Sequence, residues 1–87
     1  MNHIKQLIAE GKTQEAIRLL DQQLAATPSA DEAYFLKGNA YLKQGDVRQA
    51  LNNYLLAMEL NPESPAREAY RMQIDILNFY NKDMYNH

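Results

Sequence analysis

Displaced by 34 positions, the sequence falls onto itself: Gly11 lands on Gly45, Ala16 on Ala50 and Pro28 on Pro62. The apolar positions between these landmarks follow, with Ile17 on Leu51, Leu20 on Tyr54 and Leu24 on Met58, so helical spacing repeats along with the punctuation. A period of this length marks a structural unit that cannot bury its apolar face alone and must stack against its neighbour. The chain is therefore expected to be a stack of helical units, each resting on the next.

Each landmark has a local job. Gly45 can leave the right-handed helical region without a Cβ penalty, closing one helix before Asp46 opens the next, and Gly11 does the same earlier. Asp46 with Gln49 three residues on has capping-box spacing, and the helix that follows carries Val47, Ala50, Leu51, Tyr54, Ala57 and Met58 on one face. Pro62 and Pro28 push Asn61 and Thr27 away from helical dihedrals and so end helices. After Pro28, Ser29 with Glu32 again has capping-box spacing, and Ala33, Tyr34, Ala40 and Tyr41 supply the inward positions of a helix in which Gly38 and Ala40 permit close approach. Ala69 and Tyr70 repeat Ala33 and Tyr34 at an offset of 36, which places a two-residue insertion around Ser64 and Pro65. Ser64 reads as an N-cap and Pro65 as a first helical residue, with Tyr70, Ile74 and Leu77 recurring on one side afterwards.

Residues 31–64 resemble one complete tetratricopeptide repeat, two antiparallel helices in 34 residues. The family motif of Trp, Leu-Gly, Tyr, Ala, an aromatic and a final Pro is met by Tyr34, Gly38, Tyr41, Ala50, Tyr54 and Pro62, and Ala57 is also typical. Tyr34 replaces the preferred Trp and Lys37 the usual Leu. The resemblance implies an all-α fold, a right-handed superhelical stack of antiparallel hairpins with five helices. Its single domain divides into a shortened first repeat over 1–30, the full repeat over 31–64, a capping helix over 65–80 and a tail over 81–87.

The family holds partners in a concave groove lined by the first helix of each hairpin. Carried over to this chain, the groove implies Lys5 and Ile8, then Phe35, Asn39, Leu42 and Lys43, then Arg71, Asp75 and Asn78. Spacing agrees for the central helix, where Phe35, Asn39 and Leu42 fall at i, i+4 and i+7, opposite Tyr34 and Tyr41. Phe35 and Leu42 admit two readings at this stage, intramolecular packing or contact with a ligand. Lys5, Asn39 and Arg71 include one of each side chain that some family members use to clamp a terminal carboxylate, but the pattern is incomplete and Asp75 adds a negative charge. Phe79 and Tyr80, with Met84 and Tyr85 beyond, either finish the capping helix or present a contact surface.

Net charge is −2, from nine Lys and Arg against eleven Asp and Glu, with no basic stripe to follow a phosphate backbone, so nucleic acid is not expected as a partner. No stretch approaches the ~20 apolar residues that span a bilayer, and Met1–Gln6 lacks the apolar core of a secretory signal. A cytoplasmic protein without a membrane partner is expected. There is no cysteine, the two histidines are His3 and His87, and no Gly-rich phosphate loop is present. Ser29, Ser64 and Thr13 read as helix starts, and Glu10, Glu15 and Asp21 as solvent-facing charges. These features predict no catalytic residue, no metal and no cofactor. The expected function is a protein–protein interaction module, an adaptor or scaffold for a peptide or helix. Self-association, as a weak homodimer, is the alternative, and a non-catalytic subunit of an enzyme complex a third reading.

Overall fold

The computed structural model describes residues 1–85, with side chains described through residue 79. It contains five helices: α1 (Asn2–Ala9), α2 (Thr13–Ala26), α3 (Asp31–Lys43), α4 (Val47–Leu60) and α5 (Ala66–Tyr85). No strand occurs among the described residues. Tight turns join α1 to α2 and α3 to α4 as hairpins; α2 then packs on α3, α4 on α5, and α1 also reaches α3. The result is an elongated slab of 49 × 28 × 17 Å, the all-α hairpin stack that the repeat predicts.

The two hairpin turns are copies of each other. Gly11 and Gly45 adopt φ values of 82° and 87°, the left-handed region, and no other described residue has a positive φ. Behind Gly45, the Asp46 N–H donates to the Tyr41 carbonyl and the Gly45 N–H to the Leu42 carbonyl; behind Gly11, Lys12 donates to Leu7 and Gly11 to Ile8. This is the paired bonding of a Schellman motif, which satisfies the last carbonyls of α1 and α3. The glutamine before the second glycine also ties the hairpins together, because Gln44 Nε2 donates to Thr13 Oγ1 at 2.7 Å, and that threonine is buried at the start of α2.

Helix starts follow the sequence less uniformly. Asp46 Oδ1 accepts the Gln49 N–H at 3.1 Å, the expected cap of α4. Ser29, expected to cap α3, does not: the Ala30 N–H bonds back to the Thr27 carbonyl, and Ala30 takes the capping position without a side-chain bond. The hydroxyl is thus one residue out of register. Asp31 and Glu32 instead place negative charge in the first turn, where Asp31 Oδ2 accepts from Asn61 Nδ2 at 3.1 Å, linking the start of α3 to the end of α4. Ser64 Oγ accepts the Ala66 N–H at 3.1 Å, so α5 opens one residue after Pro65. It continues to Tyr85, past residue 80, where the tail was expected to begin. The side chains of Tyr80, Met84 and Tyr85, and His87 altogether, lie outside the described residues.

Two apolar clusters hold the hairpins. Leu20, Ala33 and Leu36 form one, with Ile4, Ile8 and Leu24 packed around them. Ala50, Tyr54, Ala57 and Ala66 form the other, with Tyr34, Tyr41, Leu42, Leu51, Met58 and Tyr70 packed against it. Phe35 belongs to both rims and joins them. Leu20 and Tyr54, equivalent positions of the repeat, are the largest fully buried side chains. Opposite them the sizes invert: Ile4 packs on the cluster of Leu20, whereas its equivalent 34 residues on is Gly38, where a Cβ would overlap the Tyr54 ring.

Gly38→Ala is accordingly expected to destabilise the fold. Overpacking at about 1–3 kcal/mol outweighs a helix-propensity gain of about 1 kcal/mol, and urea denaturation followed by circular dichroism reads the difference. A net gain in stability would show that the Tyr54 ring yields freely. Lys37, the departure from leucine, keeps its stem against the α2–α3 seam with the side chain 16% exposed and sends Nζ to Asp21 Oδ1 at 2.8 Å. Asp21, expected to face solvent alone, is thereby one end of an interhelical ion pair.

Candidate interaction surface

The first helices of the hairpins, α1 and α3, and the final helix α5 carry the residues expected to line a groove. On α1, Ile8 is half-buried against the first cluster, and exposed Lys5 lies 3.7 Å from Glu32 of α3, an ion pair between neighbouring helices. On α3, Phe35, Asn39 and Leu42 are half-buried and Lys43 is exposed. On α5, Arg71, Asp75 and Asn78 are all exposed.

The two sides of α3 prove less separate than their spacing implies. Tyr34, Phe35, Tyr41 and Leu42 all pack against the cluster centred on Tyr54. The Phe35 ring lies 6.0 Å from that of Tyr54, inclined by 36°. Phe35 and Leu42 therefore have an intramolecular role, and because each is only half-buried, part of each remains on the surface.

Asn39 is fixed by the same tyrosine. The Tyr54 hydroxyl donates to Asn39 Oδ1 at 2.6 Å, so the amide carbonyl is occupied from inside the protein. Its NH2 makes no hydrogen bond among the described residues and remains as a donor in a defined orientation. Spacing alone did not reveal this bond, although the Tyr54 ring needs a partner for its polar end once buried, and Asn39 is the polar side chain one turn from Phe35. Burial pushes the Tyr54 phenol up to about 12, because the charged form is disfavoured away from water. The unfolded chain ionises first, near the ordinary value of about 10. Stability from this group is thus fully present below pH 10 and is lost as pH rises towards 12, by on the order of 2–3 kcal/mol. Thermal melts across pH 9–12 check this, and Tyr54→Phe is expected to flatten the fall.

Arg71 is occupied as well. Its guanidinium binds the Glu68 carboxylate, and Nη1 reaches Asp75 Oδ2 at 3.1 Å. The hydrogen bonds and positive charge of Arg71 hold the Glu68 carboxyl below its usual range. With Lys5 beside Glu32 and the Asn39 carbonyl taken, each of the three side chains considered for a carboxylate clamp already has an internal partner. Several apolar side chains that were not singled out as surface residues prove exposed, among them Leu55, Leu56 and Leu60 of α4 and Met72 and Ile76 of α5. Among the described residues, no three His, Asp or Glu side chains come together to hold a metal, and no helix is long and apolar enough to cross a membrane.

Hairpins stacked in tandem with a repeated glycine turn define an α-helical solenoid. The family model described as tetratricopeptide repeat matches residues 7–71, and the chain belongs to that family. The chain is also similar to a Bacteroides fragilis protein whose structure was solved by solution NMR. The two are 56% identical over 98% of this chain and 87% of the other, with a TM-score of 0.87. No protein with a curated description matches the chain. Tetratricopeptide repeats are in general protein-interaction modules and typically non-catalytic.

Proposed function

We propose that this protein is an adaptor or scaffold module that holds a short segment of another polypeptide, an extended peptide or a single helix, along the side formed by α1, α3 and α5. The observation that carries this reading is the centre of α3, where an amide NH2 held in place by Tyr54 lies between two half-buried apolar side chains, Phe35 and Leu42. Such a surface offers a backbone carbonyl one oriented donor and gives an apolar side chain somewhere to rest on either side. Asn39 acts here through its NH2 alone, since its carbonyl is committed. Ile8 extends the apolar strip, Lys5 and Lys43 supply positive charge at its edges, and Arg71, Asp75 and Asn78 form a polar far wall.

On this reading the protein works in the cytoplasm without a cofactor or catalytic group, and its partner is a protein rather than nucleic acid or a membrane. The net charge of −2 supports the exclusion of nucleic acid. Self-association is the second reading, favoured by the exposed apolar side chains of α5.

The test is selection of binding peptides from a random library, followed by amide chemical-shift mapping on the intact chain. Shifts are expected at Phe35, Asn39 and Leu42. Because Phe35 also holds the two clusters together, the cleaner control is the surface pair Lys43→Glu with Asn78→Ala, expected to weaken binding at least tenfold with the fold unchanged. Peptides that bind this variant as tightly as the native chain, or that shift residues of α2 and α4 instead, would sink the proposal.

A further inference from the structure

α1 is held more loosely than α3, its equivalent one repeat on. At eight residues it falls short of the ~12–15 that a helix needs to persist in water by itself, so it depends on what it packs against. Leu7 is its one buried residue, and Ile4 and Ile8, half-buried, rest on the cluster of Leu20, Ala33 and Leu36. Its ends add nothing. Met1 takes the capping position without a side-chain bond, no acidic residue stands in the first turn and no basic one in the last. α3, by contrast, has Asp31 and Glu32 in its first turn and Lys43 in its last, and α1, α2 and α4 all pack on it. The ion pair from α1 to α3, Lys5 to Glu32 at 3.7 Å with both side chains half in water, holds little.

The attachment of α2 begins just past α1. Thr13, buried at the first position of α2, receives the Gln44 bond. Ala16, Ile17 and Leu20 of α2 are buried as well, and α2 packs on α3 in its own right. Between α1 and this anchor stands Gly11, exposed and in the left-handed region, with open space where a Cβ would be. Its dihedrals can therefore change with no side chain to clear. We propose that α1 is a strap, opening as one unit about Gly11 while α2, α3 and α4 stay folded, and shutting when a bound segment lies along α1 and α3.

Opening costs the burial of Ile4, Leu7 and Ile8 and little else, because Asn2, His3, Gln6 and Glu10 on the outer side are already exposed. It carries Lys5 and Ile8 away from Phe35 and Asn39 and uncovers the side of the Leu20 cluster on which Ile4 and Ile8 rest. The closing half of the proposal rests on the groove reading above. A segment that touches both α1 and α3 meets its whole surface in the shut form alone, so binding shifts the balance towards that form. The matching glycine turn at Gly45 does not act as a hinge, since α3 and α4, on either side of it, pack on neighbours beyond each other.

Native-state hydrogen exchange on the intact chain, read by NMR at low denaturant, tests both halves. The amides of α1 are expected to exchange about a hundredfold faster than those of α3 and α4, with a weaker dependence on denaturant because less surface is uncovered. Leu7→Ala is expected to speed α1 by a further tenfold or more and to leave α4 unchanged. Saturation with the tightest peptide selected from the random library is expected to slow α1 at least tenfold. Equal exchange in α1 and α3 of the native chain, or a Leu7→Ala effect shared by α4, overturns the strap, since α1 then opens only with the whole fold. A peptide that shifts Phe35, Asn39 and Leu42 but leaves the exchange of α1 unchanged, or speeds it by taking the place of α1, overturns the closure while the groove reading stands. A library that yields no binder overturns the groove reading and the closure with it, and the exchange of α1 in the free chain still decides the opening.

Discussion

Replacing Tyr54 by alanine is expected to remove about 3–5 kcal/mol of stability, the range for deleting a fully buried aromatic ring. For a chain of 87 residues the whole folding free energy is roughly 4–13 kcal/mol, so the variant is expected to lose a quarter or more of its stability and to melt well below the native chain. Three losses combine at this one position. The ring fills the space over Gly38, where a Cβ would overlap it, so its removal leaves a cavity on that side bounded by a residue with no side chain to fill it. Phe35 loses its aromatic neighbour, and with it the contact that joins the two clusters. Asn39 loses the hydroxyl that orients it. Tyr54→Phe separates these terms: the ring stays, and the expected cost drops to about 1 kcal/mol for the hydrogen bond. Urea unfolding followed by far-ultraviolet circular dichroism gives both numbers. A Tyr54→Ala protein that melts within a few degrees of the native one would mean that the second hairpin is held elsewhere.

Leu20→Ala is the same experiment one repeat earlier, with an expected loss of about 2–4 kcal/mol. It should fall below that of Tyr54→Ala for a geometric reason. Leu20 is surrounded by side chains, among them Ile4, Ile8 and Leu24, and two of these lie on α1, an eight-residue helix at the end of the stack that can settle into the space. The measurement that distinguishes the sites is hydrogen exchange. Leu20→Ala is expected to release the amides of α1 and leave those of α4 protected, whereas Tyr54→Ala is expected to release both hairpins together. Faster exchange in α4 than in α1 after Leu20→Ala would count against two clusters joined at Phe35.

Much of this architecture is legible in the sequence because the landmarks that recur at 34 residues act locally. A glycine in the left-handed region, an aspartate three residues before an N–H, and a proline after a helix each depend on the few residues around them, and all three work in the structure as their spacing predicts. The misreadings arise where a contact distant in sequence decides. Ser29 has the spacing of a cap, but the bond from Asn61 to Asp31 and the turn at Thr27 set the start of α3 one residue later. Lys37 reads as a polar intrusion until Asp21, on another helix, is seen to receive it. For the surface, periodicity assigns Phe35, Asn39 and Leu42 to one face but does not reveal that Tyr54 reaches through to hold two of them. Nor does it distinguish Met72 and Ile76 from the buried Leu36 and Ala40, because the same residue classes recur whether or not a neighbouring helix is there to cover them.

The bond from Gln44 to Thr13 has a mechanical consequence. It pins the two hairpins at the end where their glycine turns lie, and the short connector over 27–30 ties them covalently at the other, where α2 hands over to α3. Held at both ends, the hairpins resist scissoring about either one. A segment lying along α1 and α3 would then meet a slab of nearly fixed curvature, and its own chain would have to do the bending.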